Sequence, residues 1–493
     1  MSLADVNKVE DTVISARLAT PGFASKSLGD SCERHLGGDY SRVKHAMETR
    51  FRKRGGKSKT EMFRTLGLQD EGFVMYAAFD IIMTARLYAA LPTAVDDAFH
   101  DHPFPWSGDA QSVVEREQIV NRLLLKRSCR GIALDLDVIE SIEADLRLTI
   151  AECDAIIVAS GIDPSVGRTK VKVAVVDYLH VRGLLPASWP MLKDGTPSSR
   201  KEWLARVDHP LADALNRRSE AEHFLADYST KILDISLDGR IHPQVNVLAA
   251  QTGRMSYGSP PLQQYPAQVR RMMRSEVPIT SMDWTSIEPV YFANVAGDVG
   301  LLSEFEGGGD LYIPVAEAAG VPRSTAKTIL LAALYGQGVT SLSIRLGIDE
   351  DQARDLRRRV MDRMPQVDKA IRKIRAVGDA RGKVQTMSGR IIPLPVDPTT
   401  GGRRFHGYKG VNYVVQGSCY DLLAEALAEM DRRGLGDALF AAVHDELVVE
   451  TSAADEVQRI MTTPPADFVL AADRTPVLRV GRTDLGHNWA AKG

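Results

Sequence analysis

Cysteine is scarce in this chain and does not cluster. Cys32, Cys129, Cys153 and Cys419 lie far apart, with no CxxC pair and no His-rich segment beside them. That spacing argues against a disulfide framework and against a zinc site, and it suits a reducing compartment. Long apolar runs are missing too. No signal-type stretch opens the chain, and the apolar-rich residues 152–161 are too short and interrupted to span a bilayer, so no membrane is expected. Repeats at solenoid periods and low-complexity tracts are absent. So is a strong charge of one sign. The formal net charge is −3 over 493 residues, which argues against a chain that is basic throughout, the usual footprint of a nucleic-acid binder.

What is present is an ordinary globular composition, 44% hydrophobic and 25% charged, so core volume is not limiting. The length suggests about three domains. Charge is unevenly placed. From Arg168 to Arg206 eight cations (Arg168, Lys170, Lys172, Arg182, Lys193, Arg200, Lys201, Arg206) face three acids (Asp177, Asp194, Glu202). Such a patch can track phosphates, or it is a solvated face.

Apolar periodicity predicts helices at Tyr76–Leu91, at about 111–128 and at about 135–159, the last from Leu136, Ile139, Ile142, Leu146 and Ile150. Residues 162–240 alternate helices with basic loops. Val277–Asp283 reads as a short strand ending on an acid, 311–378 as mostly helical, and Phe440–Val443 with Leu447–Glu450 as a hairpin around His444-Asp445-Glu446.

Three segments carry chemistry. Arg323, Lys327, Leu331 and Tyr335 recur every four residues behind Pro322, so they share one helix face, and Gly336 ends the run. Two cations and an aromatic near a helix N-terminus can hold a polyphosphate and stack on a base; a plain surface helix is the other reading. Asp283, with Glu288 five residues on, and Asp445 stand at strand ends. On adjacent strands they could share two metals roughly 3.5–4 Å apart; as turn acids they would be unremarkable. Thr252-Gly253-Arg254 and Pro261-Leu262-Gln263-Gln264 offer Arg and Gln for a nucleic-acid groove, or form a polar loop. Paired carboxylates facing basic residues are what nucleotidyl transfer needs. Gly55-Gly56-Lys57-Ser58 lacks the first glycine and the preceding strand of a phosphate-binding loop and is set aside.

Taken together, these segments resemble the family A DNA polymerases, the DNA polymerase I superfamily, from about residue 112 to the C-terminus. Asp283-Trp284-Thr285-Ser286-Ile287-Glu288 is similar to motif A, Arg323-x3-Lys327-x7-Tyr335-Gly336 to motif B, and Val443-His444-Asp445-Glu446-Leu447 to motif C. Thr252-Gly253-Arg254, Asn412 and Gln416 match in order. The resemblance implies an α/β (α+β) right-hand polymerase: thumb at 137–240, palm at 241–305 and 385–493, and fingers at 306–384, after a linker and connecting helix at 96–136. Asp283 and Asp445, with the Trp284 carbonyl, would ligate two Mg²⁺ ions, with Mn²⁺ able to substitute, and Glu446 would support them. Arg323 and Lys327 would neutralise the leaving pyrophosphate, Lys327 as a proton donor. Leu331, Tyr335 and Glu288 would face the incoming dNTP, Tyr335 stacking near the template base and Glu288 obstructing a ribose 2′-hydroxyl. Arg254, Gln263, Gly336, Asn412, Gln416 and His444 would contact primer-template DNA.

Two departures stand out. Leu331 occupies a position that is Phe or Tyr in many members and Leu in phage-type branches, and Tyr312 replaces the His that often follows Asp310-Leu311. At the N-terminus, Tyr76-Ala77-Ala78-Phe79-Asp80 resembles the third motif of the 3′–5′ exonuclease. The first two motifs would lie before residue 1. The expectation is a partial, inactive ribonuclease H-like domain at 1–95, with Tyr76 and Asp80 vestigial and without proofreading. The expected whole is a monomeric DNA polymerase of replication or repair, cytoplasmic or phage-encoded in a host cytoplasm, with primer-template DNA and dNTPs as partners. The competing readings are a single-subunit RNA polymerase, which Glu288 opposes, and a catalytically inert DNA-binding relative.

Overall fold

The computed structural model describes residues 9–22, 24–38, 40–53, 61, 69–105, 108–402 and 404–489. Gly55-Gly56-Lys57-Ser58 lies outside them. The chain divides into two compact units. The first comprises 1–130, 244–258 and 279–484, and the second 131–243, 259–278 and 485–493.

In the first unit, the C-terminal half of the strand Met273–Trp284 pairs antiparallel with Glu446–Glu450, from Ile279 opposite Glu450 to Asp283 opposite Glu446. Glu446–Glu450 pairs in turn with Leu439–Val443, with a register shift between Leu439 and Ala441. These strands are buried on both faces: Ile279 to Met282, Leu439 to Val443 and Leu447 to Val449 are all buried. Helices cover them. The Gly407–Arg432 helix buries seventeen of its residues, which requires apolar neighbours all round. The Ile287–Ala296 helix follows the central strand directly. The Arg323–Leu334 helix buries Ala326, Ile329, Leu330, Ala333 and Leu334 on one face. Spacings of three and four residues put these on a single stripe and leave the opposite face outside. Pro322 is its N-cap, and Gly336 follows its end at φ 69°.

The described N-terminal residues are helical: Thr12–Ala19, Leu28–Leu36, Tyr40–Arg52 and Glu71–Phe99. No strand occurs among the described residues of 9–95, so the ribonuclease H-like region expected there is represented by helices alone. The absence of a long apolar run needs correction as well. By length and composition, Glu71–Phe99 could cross a membrane. Here Leu87, Leu91, Val95 and Phe99 pack into cores, while Ile81 and Met75 face outward.

In the second unit, Ile132–Leu134 pairs antiparallel with Arg240–Ile241 and with Met273–Arg274. The Leu136–Ala159 and Pro210–Phe224 helices lie together. Val171, Val175, Leu179 and Trp189 form a separate apolar core. The basic patch lies in this unit, and Arg182, Lys193, Arg200 and Arg206 are exposed. Arg168 is spent on Glu222 at 2.9 Å.

Candidate active site

One cleft of about 380 Å³ in the first unit is lined by Arg254, Asp283, Trp284, Glu288, Tyr312, Lys327, Leu331, Tyr335, His444 and Asp445. Ser286, Ile287, Pro289, Cys419 and Tyr420 complete the lining, so nine of its fifteen residues were singled out in the sequence as site residues; Tyr312 had been noted there only as a departure.

The acids come first. Asp283 is the penultimate residue of the central strand, opposite Glu446. His444 and Asp445 form a two-residue turn, with His444 exposed at φ 58°. A tight turn of this kind holds its second residue at a defined position beside the neighbouring strand, so the two carboxylates converge. Burial and the charge of Asp283 push the Asp445 carboxyl up to about 6. Like charges held close in a desolvated site raise each other's proton affinity, and a divalent cation relieves that repulsion. Glu446 accepts from the Ser281 hydroxyl at 2.5 Å, so it buttresses the strand pair and belongs beside the acids.

Glu288 sits one residue into its helix, behind Ser286, which adopts a left-handed conformation at φ 53°. Arg254 donates to Glu288 Oε1 at 2.8 Å, and the Tyr335 hydroxyl donates to Oε2. Burial and this bond push the Tyr335 phenol well above its ordinary value. Residues 254, 288 and 335, far apart in sequence, therefore make one clasp.

The basic face differs in detail from the expectation. Lys327 is exposed at the cleft. Arg323 is paired with Asp310 through Nε at 3.0 Å and Nη2 at 2.6 Å. Tyr312 is only 2% exposed. Its ring lies under both cations, 5.2 Å from the Arg323 guanidinium carbon and 5.7 Å from Lys327 Nζ. The residue in place of the usual His is thus a buried aromatic floor beneath two cations.

Gly336 tolerates no side chain, because a Cβ there would stand 2.4 Å from the Tyr408 carbonyl oxygen. Asn412 and Gln416 are half-buried on the Gly407–Arg432 helix. Asn412 Oδ1 is buried without a hydrogen-bond partner among the described residues. Gln263 lies in a short 3-10 turn of the second unit. Asp80, on the long N-terminal helix, accepts from the Tyr40 hydroxyl, and burial with that same Asp80 pushes Tyr76 up to about 12.

Beneath the Thr252-Gly253-Arg254 segment lies a network that motif reading missed. Asp421, fully buried, receives Arg390 Nε at 2.8 Å, Arg116 Nη2 at 3.2 Å and the Ser388 hydroxyl at 2.6 Å. Arg390 also donates to the Thr252 carbonyl at 3.2 Å and the Gly417 carbonyl at 3.0 Å. Arg116 is closed by Glu117, whose other oxygen receives Tyr420 at 2.7 Å. Two arginines and two acids cancel, as buried charges must. The only sequence signal was Asp421 inside an apolar stretch of its helix, since Arg116 and Glu117 lie in a helix rich in charges and Arg390 lies in a loop.

The sequence profile described as DNA polymerase family A matches residues 176–491. The DNA polymerase of Mycobacterium phage L5 is 24% identical over 459 residues, which cover 91% of this chain and 74% of that protein. The thermostable DNA polymerase I of Thermus aquaticus is 27% identical over 375 residues, which cover 70% of this chain and 45% of that protein. This chain therefore spans about three quarters of the phage relative and less than half of the bacterial one. Among solved structures, the POL domain of Pol1 from M. smegmatis, in complex with DNA primer-template and dNTP, superposes with a TM-score of 0.72 at 23% identity. That match covers 97% of this chain and 82% of the other. The fold is that of a polymerase domain, and the profile covers well over half of the sequence: the chain belongs to DNA polymerase family A.

Proposed function

We propose that this chain is a template-directed DNA polymerase that extends a DNA primer 3′ end with dNTPs by two-metal-ion nucleotidyl transfer, releasing pyrophosphate. The observation that carries the reading is the convergence of Asp283 and Asp445 in one cleft with Lys327. Their donor chemistry fits Mg²⁺. Two hard carboxylates leave coordination positions for water and phosphate oxygens, as Mg²⁺ sites commonly do. Among the described residues no group of three or more His, Cys, Asp or Glu forms a closed protein cage. Asp283, Asp445 and the Trp284 carbonyl would hold the ions, which when bound lower the pKa of the primer hydroxyl and neutralise the triphosphate.

The rest is done by the chain itself. Lys327 and Arg323 bind the phosphates over the Tyr312 ring, and Arg323 exchanges Asp310 for a phosphate oxygen. Lys327 supplies a proton to the departing pyrophosphate. Glu288, held by Arg254 and Tyr335, crowds the sugar and disfavours a 2′-hydroxyl. Tyr335 lies against the base, and Asn412, Gln416, Gln263 and His444 meet the primer-template. The right-hand division is part of this proposal, with the thumb at 137–240, the fingers at 306–384 and the palm made of the flanking segments. So is the absence of proofreading by this chain, since Asp80, the one carboxylate matched to an exonuclease motif, cannot by itself hold two metal ions.

Primer extension with Mg²⁺, offering dNTPs or rNTPs beside an Asp445→Ala control, tests the reading. Extension with dNTPs alone, lost in the control, is expected. No extension by a chain that still binds primer-template tightly would overturn it in favour of an inert binding protein.

A further inference from the structure

A second cavity in the first unit, of about 410 Å³, lies between the N-terminal helices and the Leu248–Gly253 loop. Its size is within the roughly 300–1,000 Å³ of small-molecule sites. Leu18, Phe99, Leu248 and Ile392 give it an apolar floor, and Arg17 and Lys26 give it a cationic rim; among the described residues no Asp or Glu lines it.

These cations are held by dipoles rather than by opposite charges. Arg17 donates to the Val247 carbonyl, and Lys26 to the Gly22 and Ala24 carbonyls. Arg34, nearby, donates to the Ser25 carbonyl at 3.2 Å. Among the described residues, none of the three forms an ion pair with a carboxylate, whereas many other arginines of the chain do. Burial lowers the Lys26 pKa, and Arg34 and Arg17 lower it further. Burial likewise lowers Arg17, against the nearby charge of Asp11. Adjacent cations repel one another, Asp11 offsets this only at Arg17, and an anion between them relieves that repulsion. Arg390 also lines the cavity, but its charge is already met by Asp421.

We propose that this cavity is a second nucleotide site, separate from the Asp283–Asp445 cleft, taking a base on its apolar floor and the attached phosphate on Arg17 and Lys26. The planar guanidinium fork matches phosphate oxygens and the ammonium adds a point charge. A flat, weakly polar base suits a floor of aliphatic and aromatic side chains. The nucleotide is either a free deoxynucleoside monophosphate or one unpaired nucleotide of a single strand. Its chemistry is the same in both cases. The site borders Gly253, next to Arg254, and its existence does not depend on the polymerase reading.

The test is equilibrium dialysis of the full chain without Mg²⁺, with labelled dAMP in one arm and a labelled oligo-dT single strand in the other. It compares wild type, Arg17→Ala, Lys26→Gln and Lys327→Ala. We expect at least tenfold weaker binding in Arg17→Ala and Lys26→Gln of whichever probe uses the site, and retention of that binding in Lys327→Ala. Binding of dAMP identifies a free nucleotide; binding of oligo-dT alone identifies a strand. Should Arg17→Ala disturb its helix, the less buried Lys26→Gln decides. Wild-type binding of both probes in Lys26→Gln, or loss of all binding in Lys327→Ala, overturns the proposal. Primer extension by the wild-type chain is scored separately and bears only on the polymerase reading.

Discussion

Replacing Gly253 with Ala isolates how the buried network supports the Arg254 segment. Gly253 has φ 85°, and an added Cβ would stand 2.0 Å from Arg390 Nη1 and 2.7 Å from Cζ. The left-handed backbone alone costs Ala about 1–2 kcal/mol. The guanidinium must also move, and it has nowhere to go. It is 5% exposed and tied to Asp421, Gly417 and Thr252. Breaking a buried ion pair of this kind costs about 3–5 kcal/mol. The sum is roughly 4–7 kcal/mol, a large part of the roughly 5–15 kcal/mol typical of a folded domain. Urea unfolding, followed by tryptophan fluorescence, should show this loss in Gly253→Ala. In an Arg390→Met background the same substitution should cost only the backbone part, about 1–2 kcal/mol, giving a coupling of at least about 2 kcal/mol between the two positions. Equal costs in the two backgrounds would refute the reasoning, because the clash with Arg390 would then not be the source. A single-mutant cost under about 1 kcal/mol would refute it too, since the left-handed backbone alone exceeds that.

Other consequences are open to measurement. Glu288→Ala should raise ribonucleotide incorporation relative to deoxynucleotide by at least about tenfold, roughly 1.4 kcal/mol of discrimination; an unchanged ratio in single-nucleotide extension would remove Glu288 from sugar selection. Leu331→Tyr should change discrimination against dideoxynucleotides, because Leu331 lines the cleft between Lys327 and Tyr335; equal discrimination sinks that idea. Asp467 supplies a pH effect. Burial, then the charge of Asp421, pushes its carboxyl up to about 6, against about 3.9 unfolded. The folded state takes up the proton first, so this group's favourable contribution is full below about pH 4 and disappears as pH rises through 6. Discounted for partial exposure, the penalty at neutral pH is about 1–2 kcal/mol. Asp467→Asn should therefore be more stable than wild type by that amount at pH 7.5 and equal to it at pH 4, and thermal melts showing no gain at pH 7.5 would exclude it.

Local pattern already determined much of this protein. Four-residue spacing put Arg323, Lys327, Leu331 and Tyr335 on one helix face, since helical periodicity depends only on neighbours in the chain. Apolar runs ending on Asp283 and flanking His444-Asp445 marked the strands that carry the acids, and those strands are adjacent in the structure. Tertiary structure alone decided which groups meet across long separations. Asp310 reaches Arg323 thirteen residues on, Arg254 and Tyr335 close on Glu288 from opposite directions, and Arg116 finds Asp421 across 305 residues. Such pairs leave no periodic trace, because each partner satisfies its own local rule wherever the other lies. Tyr312 shows the same limit: sequence could mark it as a departure, but only the packing of two helices made it a buried floor under two cations. The N-terminal region shows a related limit. A short motif there was similar to part of a sheet-containing domain, while the apolar pattern of Glu71–Phe99 has a helical period and formed one long helix.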